Sequence, residues 1–133
     1  MSAVGEETVT DTRGAARSGQ LSVGQTAVDG IRVFTLRGEI DHTVKNVLSE
    51  ALLCDLLGDD DAVPPRMVVD LSGVTFMDSS GINVFVAAYQ AVGESRGWLR
   101  IAGAQNSVLR VLQVVGLDEV IPCHPTVEQA LTA

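Results

Sequence analysis

From Leu21 onward, the spacing of apolar residues switches repeatedly between the two-residue period of a strand and the 3.6-residue period of a helix. Few architectures accept that order. The first strand pattern, Leu21 and Val23 and less regularly Ala27 and Val28, runs into Asp29-Gly30. That pair supplies the positive φ angles of a two-residue hairpin turn, after which Ile31-Arg32-Val33-Phe34-Thr35-Leu36 resumes β-branched and apolar character. Two antiparallel strands are predicted, with Gly38 ending the second. From Val44, the residues Val44, Val47, Leu48, Ala51, Leu52 and Leu56 recur at helical spacing, and Gly58 is suited to close that helix. The acidic run Asp59-Asp60-Asp61 and the pair Pro64-Pro65 read as a loop. Calcium binding there is not expected, because no Glu completes an EF-hand pattern.

Met67-Val68-Val69-Asp70-Leu71 is a nearly continuous apolar run of the kind buried on both faces of a sheet, and it predicts the central strand. Ser72-Gly73 interrupts it before Val74-Thr75-Phe76-Met77. After Asp78-Ser79-Ser80-Gly81, a second helix is predicted with Ile82, Phe85, Val86, Tyr89 and Val92 on its inward face; Ala87, Ala88 and Ala91 allow close packing. Gly97 precedes a short strand, Trp98-Leu99-Arg100-Ile101-Ala102. A third helix then carries Val108, Val111, Leu112 and Val115 on one face and ends at Gly116. Val120-Ile121 fits a terminal strand. Pro125 is placed to open a last helix over Thr126 to Leu131, with His124 or Thr126 near its cap. The predicted class is α/β: a mixed β-sheet with an N-terminal hairpin, covered by about four helices, with right-handed crossovers between parallel strands.

A chain of 133 residues falls in the size range of one domain. Residues 1–20 are rich in Gly, Ala, Ser and Thr without periodicity and are expected to form a flexible tail, leaving 21–133 as the folded domain. Aromatics make up only 4% of the chain, so the core must be aliphatic. The formal net charge of −8 repels nucleic acid phosphates and anionic lipid, which argues against direct nucleic acid or membrane binding. No apolar run approaches the roughly 18 residues of a membrane span and no signal-peptide pattern is present, so a cytoplasmic location is expected. Cys54 and Cys123 fit no metal-ligand or redox spacing and read as reduced thiols, Cys54 as core filling; no metal site is expected.

Taken alone, Asp78-Ser79-Ser80-Gly81 is a helix cap: short polar side chains accept hydrogen bonds from the free N–H groups of the first turn, and the helix dipole favours an acid there. The same geometry exposes a serine beside N–H groups able to receive a phosphate. A phosphoserine adds about −1.5 to −2 charge, which would act outward, on a partner's surface. Catalysis by Ser79 with His42 or His124 as base finds little support: no Gly-x-Ser-x-Gly elbow is present, and the histidines read as a loop residue and a cap residue. Asp70 could be a phosphoacceptor at a strand end, as in receiver domains. The acidic pair and late lysine of receivers are missing, and Asp70 is read as structural.

Gly38-Glu39-Ile40-Asp41-His42-Thr43 and the stretch from Val69 through Phe76-Met77-Asp78-Ser79-Ser80-Gly81 to Ile82 resemble the bacterial anti-sigma factor antagonists of the STAS domain family. Val108 to Leu117 is similar to the third-helix region of that family, and the resemblance spans about Leu21 to Leu131. It implies phosphorylation at Ser79, with Ser80 as fallback, by an anti-sigma factor that is itself a serine kinase. It further implies that the unphosphorylated form binds that kinase and frees a sigma factor, and that a serine phosphatase resets the switch. ATP then belongs to the partner, and this chain needs no cofactor. Glu39 and Asp41 match positions near the family's kinase interface; Asp78, Ser80 and Gly81 are expected at the same surface, Gly81 letting the partner approach. Asn83 departs from the small residue many relatives carry. The competing expectations are a non-switching scaffold subunit of a stress-signalling or lipid-transport assembly, and an enzyme using Ser79.

Overall fold

The computed structural model describes residues 21–57 and 64–133. The expectations for the N-terminal tail 1–20, for Gly58, for Asp59-Asp60-Asp61 and for the Cys54 side chain lie outside the described residues. Strands β1 (Ser22–Val28) and β2 (Ile31–Ile40) pair antiparallel, with Val28 opposite Ile31 across the turn. Asp29 and Gly30 both take positive φ, 53° and 82°, the combination a type I′ turn requires. Arg66 secures this turn by donating from Nη2 to the Asp29 carbonyl at 3.1 Å.

β2 does not end at Gly38, and Ser72-Gly73 does not break the central strand: β3 runs unbroken over Arg66–Met77. The reason is that β3 carries an extra residue twice. Thr35 to Arg37 stand opposite Asp70 to Gly73, and Gly38 to Glu39 stand opposite Val74 to Phe76. Bulges absorb such insertions without ending the ladder. The side chain of Asp70 supports the first by accepting from the Ser72 amide at 3.0 Å, a structural role as expected. Thr75 spans the second with a long hydrogen bond from Oγ1 to the Gly38 carbonyl.

Helix α1 (Lys45–Leu57) follows β2, and α2 (Ser79–Glu94) follows β3. Next come β4 (Trp98–Ala102), α3 (Asn106–Val114), a 3-10 turn at Leu117–Glu119, β5 (Cys123–His124) and α4 (Val127–Thr132). The sheet order is β1-β2-β3-β4-β5, antiparallel at the hairpin and parallel elsewhere, with β3 in the centre. The terminal strand is therefore Cys123–His124 and not Val120-Ile121. The Val120 and Ile121 amides are taken up by the Leu117 carbonyl at 3.0 and 2.8 Å, which withholds them from the sheet, and Ile121 is buried in the core instead.

Most of the core lies on one side of the sheet. Phe34, Leu36, Val69, Leu71 and Ile101 meet Leu48 and Leu52 of α1, Phe85 of α2, and Val108 and Leu112 of α3 in one cluster. A smaller cluster contains Ile31, Val33, Val68 and Ala102 with Ala130 of α4. Thr126 caps α4, its Oγ1 accepting from the Gln129 amide at 3.1 Å, so Pro125 precedes the cap and His124 belongs to β5. Arg100 holds α4 to the sheet by donating to the Ala130 carbonyl at 2.8 Å while its guanidinium lies 3.7 Å from the centre of the Trp98 ring.

Two helix faces are rotated from expectation. α2 buries Gly81, Val84, Phe85, Ala88 and Val92; Ile82 and Val86 are half-buried at the edge of the core, and Tyr89 is exposed. The small residues turn inward because they let the helix lie close to the sheet. In α3, Val108 and Leu112 are buried, but Val115 is exposed because it is the C-cap, where the chain leaves the helix for Gly116 at φ 78°. The rotation of α2 is testable by urea unfolding. Ala88→Leu should lose about 1–3 kcal/mol through overpacking. At the exposed neighbour, Ala87→Leu should change stability by no more than about 0.5 kcal/mol.

Candidate functional site

The parallel strands β2 and β3 finish at the same end of the sheet, with Ile40 opposite Met77. One hydrogen bond beyond that pair, from the Asp78 amide to the Ile40 carbonyl at 3.1 Å, closes the ladder. Asp78 then leaves the strand with extended backbone angles and becomes the N-cap of α2. Its Oδ1 accepts from the Ser80 amide at 2.8 Å, and its carbonyl accepts from the Gly81 amide at 3.1 Å. Two of the first-turn N–H groups are thus satisfied by one residue.

Ser79 is the first helical residue and is exposed, while Asp78 and Ser80 are half-buried. Gly81 is buried and faces inward. A Cβ there would lie 2.5 Å from Met77 Cγ and 2.9 Å from Ile40 Cγ2. The expectation that Gly81 makes room for a partner is accordingly corrected: it makes room for Met77 and Ile40, and so sets the distance between α2 and the sheet.

On the β2 side, Glu39 is exposed in the last turn of the strand pattern and Asp41 begins the loop to α1. Asp41 Oδ1 accepts from the Thr43 hydroxyl at 2.5 Å and from the Thr43 amide at 3.0 Å, and the Asp41 carbonyl accepts from the Val44 amide at 3.2 Å. The Thr43 hydroxyl is the main cause that holds the Asp41 carboxyl below its usual range. The structure therefore brings Glu39, Asp41, Asp78, Ser79 and Ser80 to one end of the sheet, all on or beside the β2 and β3 termini.

Sequence reasoning missed Phe76 as a surface residue. It pairs with Glu39 across the β2–β3 ladder and is 47% exposed. Burial of both Val74 and Met77, an odd number of steps apart, rules out strict alternation and requires a bulge between them, which the sequence of one strand does not reveal.

The histidines do not assemble a catalytic centre with Ser79. His42 is an exposed loop residue, His124 lies two strands away from β3 on β5, and no hydrogen bond joins Ser79 to either among the described residues. The half-buried Cys123 thiol is pushed up to about 11 by burial, with Asp118 adding to the effect, so it stays protonated at neutral pH. Among the described residues, no three His, Cys, Asp or Glu side chains come together as a metal site. No helix among them is long and apolar enough to cross a membrane.

A strand ending in Met77-Asp78 that hands an exposed serine to a helix, in a hairpin-led mixed sheet, is matched by a known family. The STAS domain model matches residues 25–130. The chain belongs to the STAS domain family. Within it, the chain is similar to the anti-sigma-F factor antagonist RsfB of Mycobacterium tuberculosis, 32% identical over 114 residues that cover 84% of this chain and 88% of RsfB. The crystal structure of an anti-sigma factor antagonist from Mycobacterium paratuberculosis is 28% identical and matches with a TM-score of 0.75, covering 86% of this chain and 93% of that one. SpoIIAA from Bacillus, another anti-sigma factor antagonist, shares the fold. Its phosphorylated form matches with a TM-score of 0.65 at 20% identity over 84% of this chain and 97% of SpoIIAA. Its unphosphorylated form gives 0.70 at 22% identity over 83% and 93%.

Two measurements test the STAS site as a built junction. Asp78→Ala should lose about 0.5–2 kcal/mol in urea unfolding through loss of the cap, whereas Asp78→Ser should retain most of the stability. Thr43→Val should raise the Asp41 carboxyl, read by carbon-detected NMR titration. Because the folded-state value lies below the ordinary one, the stabilisation Asp41 confers is present above its unfolded value and is lost as pH falls through the folded value. Thr43→Val should therefore flatten stability against pH on the acid side.

Proposed function

We propose that this chain is an anti-sigma factor antagonist acting in the cytoplasm as a regulatory, non-enzymatic binding module. The unphosphorylated form binds and sequesters an anti-sigma factor that is a serine kinase, and a sigma factor is thereby released. Phosphorylation of Ser79 by that kinase ends the complex, and a serine phosphatase restores it. ATP occupies the kinase, and this chain carries no cofactor.

The observation that carries this reading is the exposed Ser79 hydroxyl at the first position of α2, next to the capping Asp78. A phosphate at a helix N-terminus is favoured by the helix dipole, so it is tolerated by the fold that bears it. On the outer side, it adds charge beside Asp78, Glu39 and Asp41. A partner selected to fit that surface meets both a new desolvation penalty and a rearranged charge pattern. The family relatives named for this activity support the reading, and SpoIIAA supports its switch, since a protein of this fold exists in phosphorylated and unphosphorylated forms. Glu39, Asp41, Asp78 and Ser80 are the proposed contacts around Ser79. Gly81 contributes from inside, by holding α2 where Ser79 reaches the surface.

The test is reconstitution with the anti-sigma kinases of the same genome and ATP. Phosphate should appear on Ser79, and Ser79→Ala should accept none; modification confined to Ser80, or undiminished in Ser79→Ala, would overturn the assignment. Ser79→Asp should melt like the wild type yet bind the kinase about 30-fold or more weakly, as expected for a charge placed in an interface core.

A further inference from the structure

The chain contains three phenylalanines, and two of them, Phe34 and Phe85, have no exposed surface. Phe76 is 47% exposed, although it lies in the central strand of the sheet. Its position follows from the second bulge of β3. With Val74 buried, plain alternation would turn Phe76 inward and Met77 outward; the extra residue Thr75 reverses both, so Met77 packs beneath Gly81 and Phe76 faces out. The bulge thus exchanges a flexible apolar side chain on the surface for a rigid aromatic one.

Phe76 stands at the candidate site. It is the ladder partner of Glu39 and stands three positions before Ser79, a span of at most about 11 Å. Acidic residues share this end of the sheet with it: Glu39 opposite it in the ladder, Asp41 after the end of β2 and Asp78 at the helix cap. Arg37, exposed two residues before Glu39, is the cation of this row. A half-exposed aromatic within a polar, charged rim has the anatomy of an interface hot spot.

We infer that Phe76 is the apolar anchor of the partner-binding surface, inserting into an apolar pocket of the anti-sigma kinase that is rimmed by basic side chains. This rests on the function proposed above and deepens it. The kinase presents Lys or Arg opposite Glu39, Asp41 and Asp78, and an acidic group opposite Arg37. Phosphate on Ser79 then acts at the edge of the pocket that Phe76 fills, which connects the switch to the anchor. Unlike the acidic contacts, the anchor is insensitive to salt.

The experiment measures affinity by calorimetry between the full chain and each purified anti-sigma kinase of its own genome, at low and high salt. Phe76→Ala should weaken binding about 30-fold or more at both salt concentrations, with an unchanged melting temperature. Phe76→Gln, which keeps the side-chain reach, carries the same expectation should the alanine variant fold poorly. Phe76→Met should stay within about fivefold of wild type, because it retains the apolar volume. Val114→Ala, which removes a valine 79% exposed at the far end of α3, should bind as wild type does. If Phe76→Ala and Phe76→Gln both bind within about threefold of a wild type that does bind, the anchor is overturned and the proposed function stands. If the wild type binds none of the kinases, the function itself fails and the anchor with it.

Discussion

The hydrogen bond from the Asp78 amide to the Ile40 carbonyl is where the sheet ends and the site begins. β2 and β3 are parallel, so their C-terminal ends coincide, and this bond holds the two exits side by side. One exit leads to Asp41 and the loop into α1; the other leads to Asp78 and α2. Each uses its aspartate to gather amides of the residues that follow, Thr43 in one case and Ser80 in the other. Two similar turns, fastened by one backbone bond, place the acidic side chains and the serines on a common edge. Below the bond, Gly81 packs against Met77 and Ile40, so α2 has no freedom to draw Ser79 away from that edge.

The same construction separates what the fold feels from what a partner feels. Inward of Asp78 everything is apolar and tightly packed: Ile40 and Met77 are buried, and so are Val84 and Phe85. Outward, Ser79 and Glu39 are exposed and Asp41 is held ionised by Thr43. A charge added at Ser79 lies over the positive end of the α2 dipole, and none of the core contacts changes. Such a charge would be felt by a molecule covering the edge and not by the core.

The layer order was legible because it depends on periodicities that survive local irregularity. The Asp29-Gly30 turn, the apolar run from Met67 to Leu71 and the glycine after α3 each have a local cause, and local causes are visible in sequence. Where structure departs from pattern, the cause is not local. Gly38 and Ser72-Gly73 carry the marks of breaks, yet they lie in bulges, and a bulge differs from a break only through the neighbouring strand that resumes pairing. Val120-Ile121 has strand composition, but the Leu117 carbonyl takes its amides. On α2, size alone points Ile82 and Tyr89 inward, whereas close approach to the sheet favours Gly81 and Ala88. Of the site, Asp78 and Ser79 were readable as a cap at a strand-to-helix junction, and Glu39 and Asp41 came from resemblance. Phe76 was overlooked because its exposure depends on pairing register, a property of two strands and not of one.

Those bulges also explain how one sheet end can seat α2 and still present an aromatic at the surface. A regular strand alternates, so with Val74 inward position 76 would also turn inward and position 77 outward, leaving Gly81 facing a cavity. Inserting Thr75 shifts the phase once, after the sheet core has been built by Val68, Val69, Leu71 and Val74 and before α2 begins. Met77 is then available to fill the space above which Gly81 lies, and Phe76 is released to the surface. Pairing the same sequence without the bulge would not simply hide an aromatic. It would turn Met77 out from under Gly81 and loosen the seat of α2, so the exposure of Phe76 and the position of Ser79 depend on the same bulge.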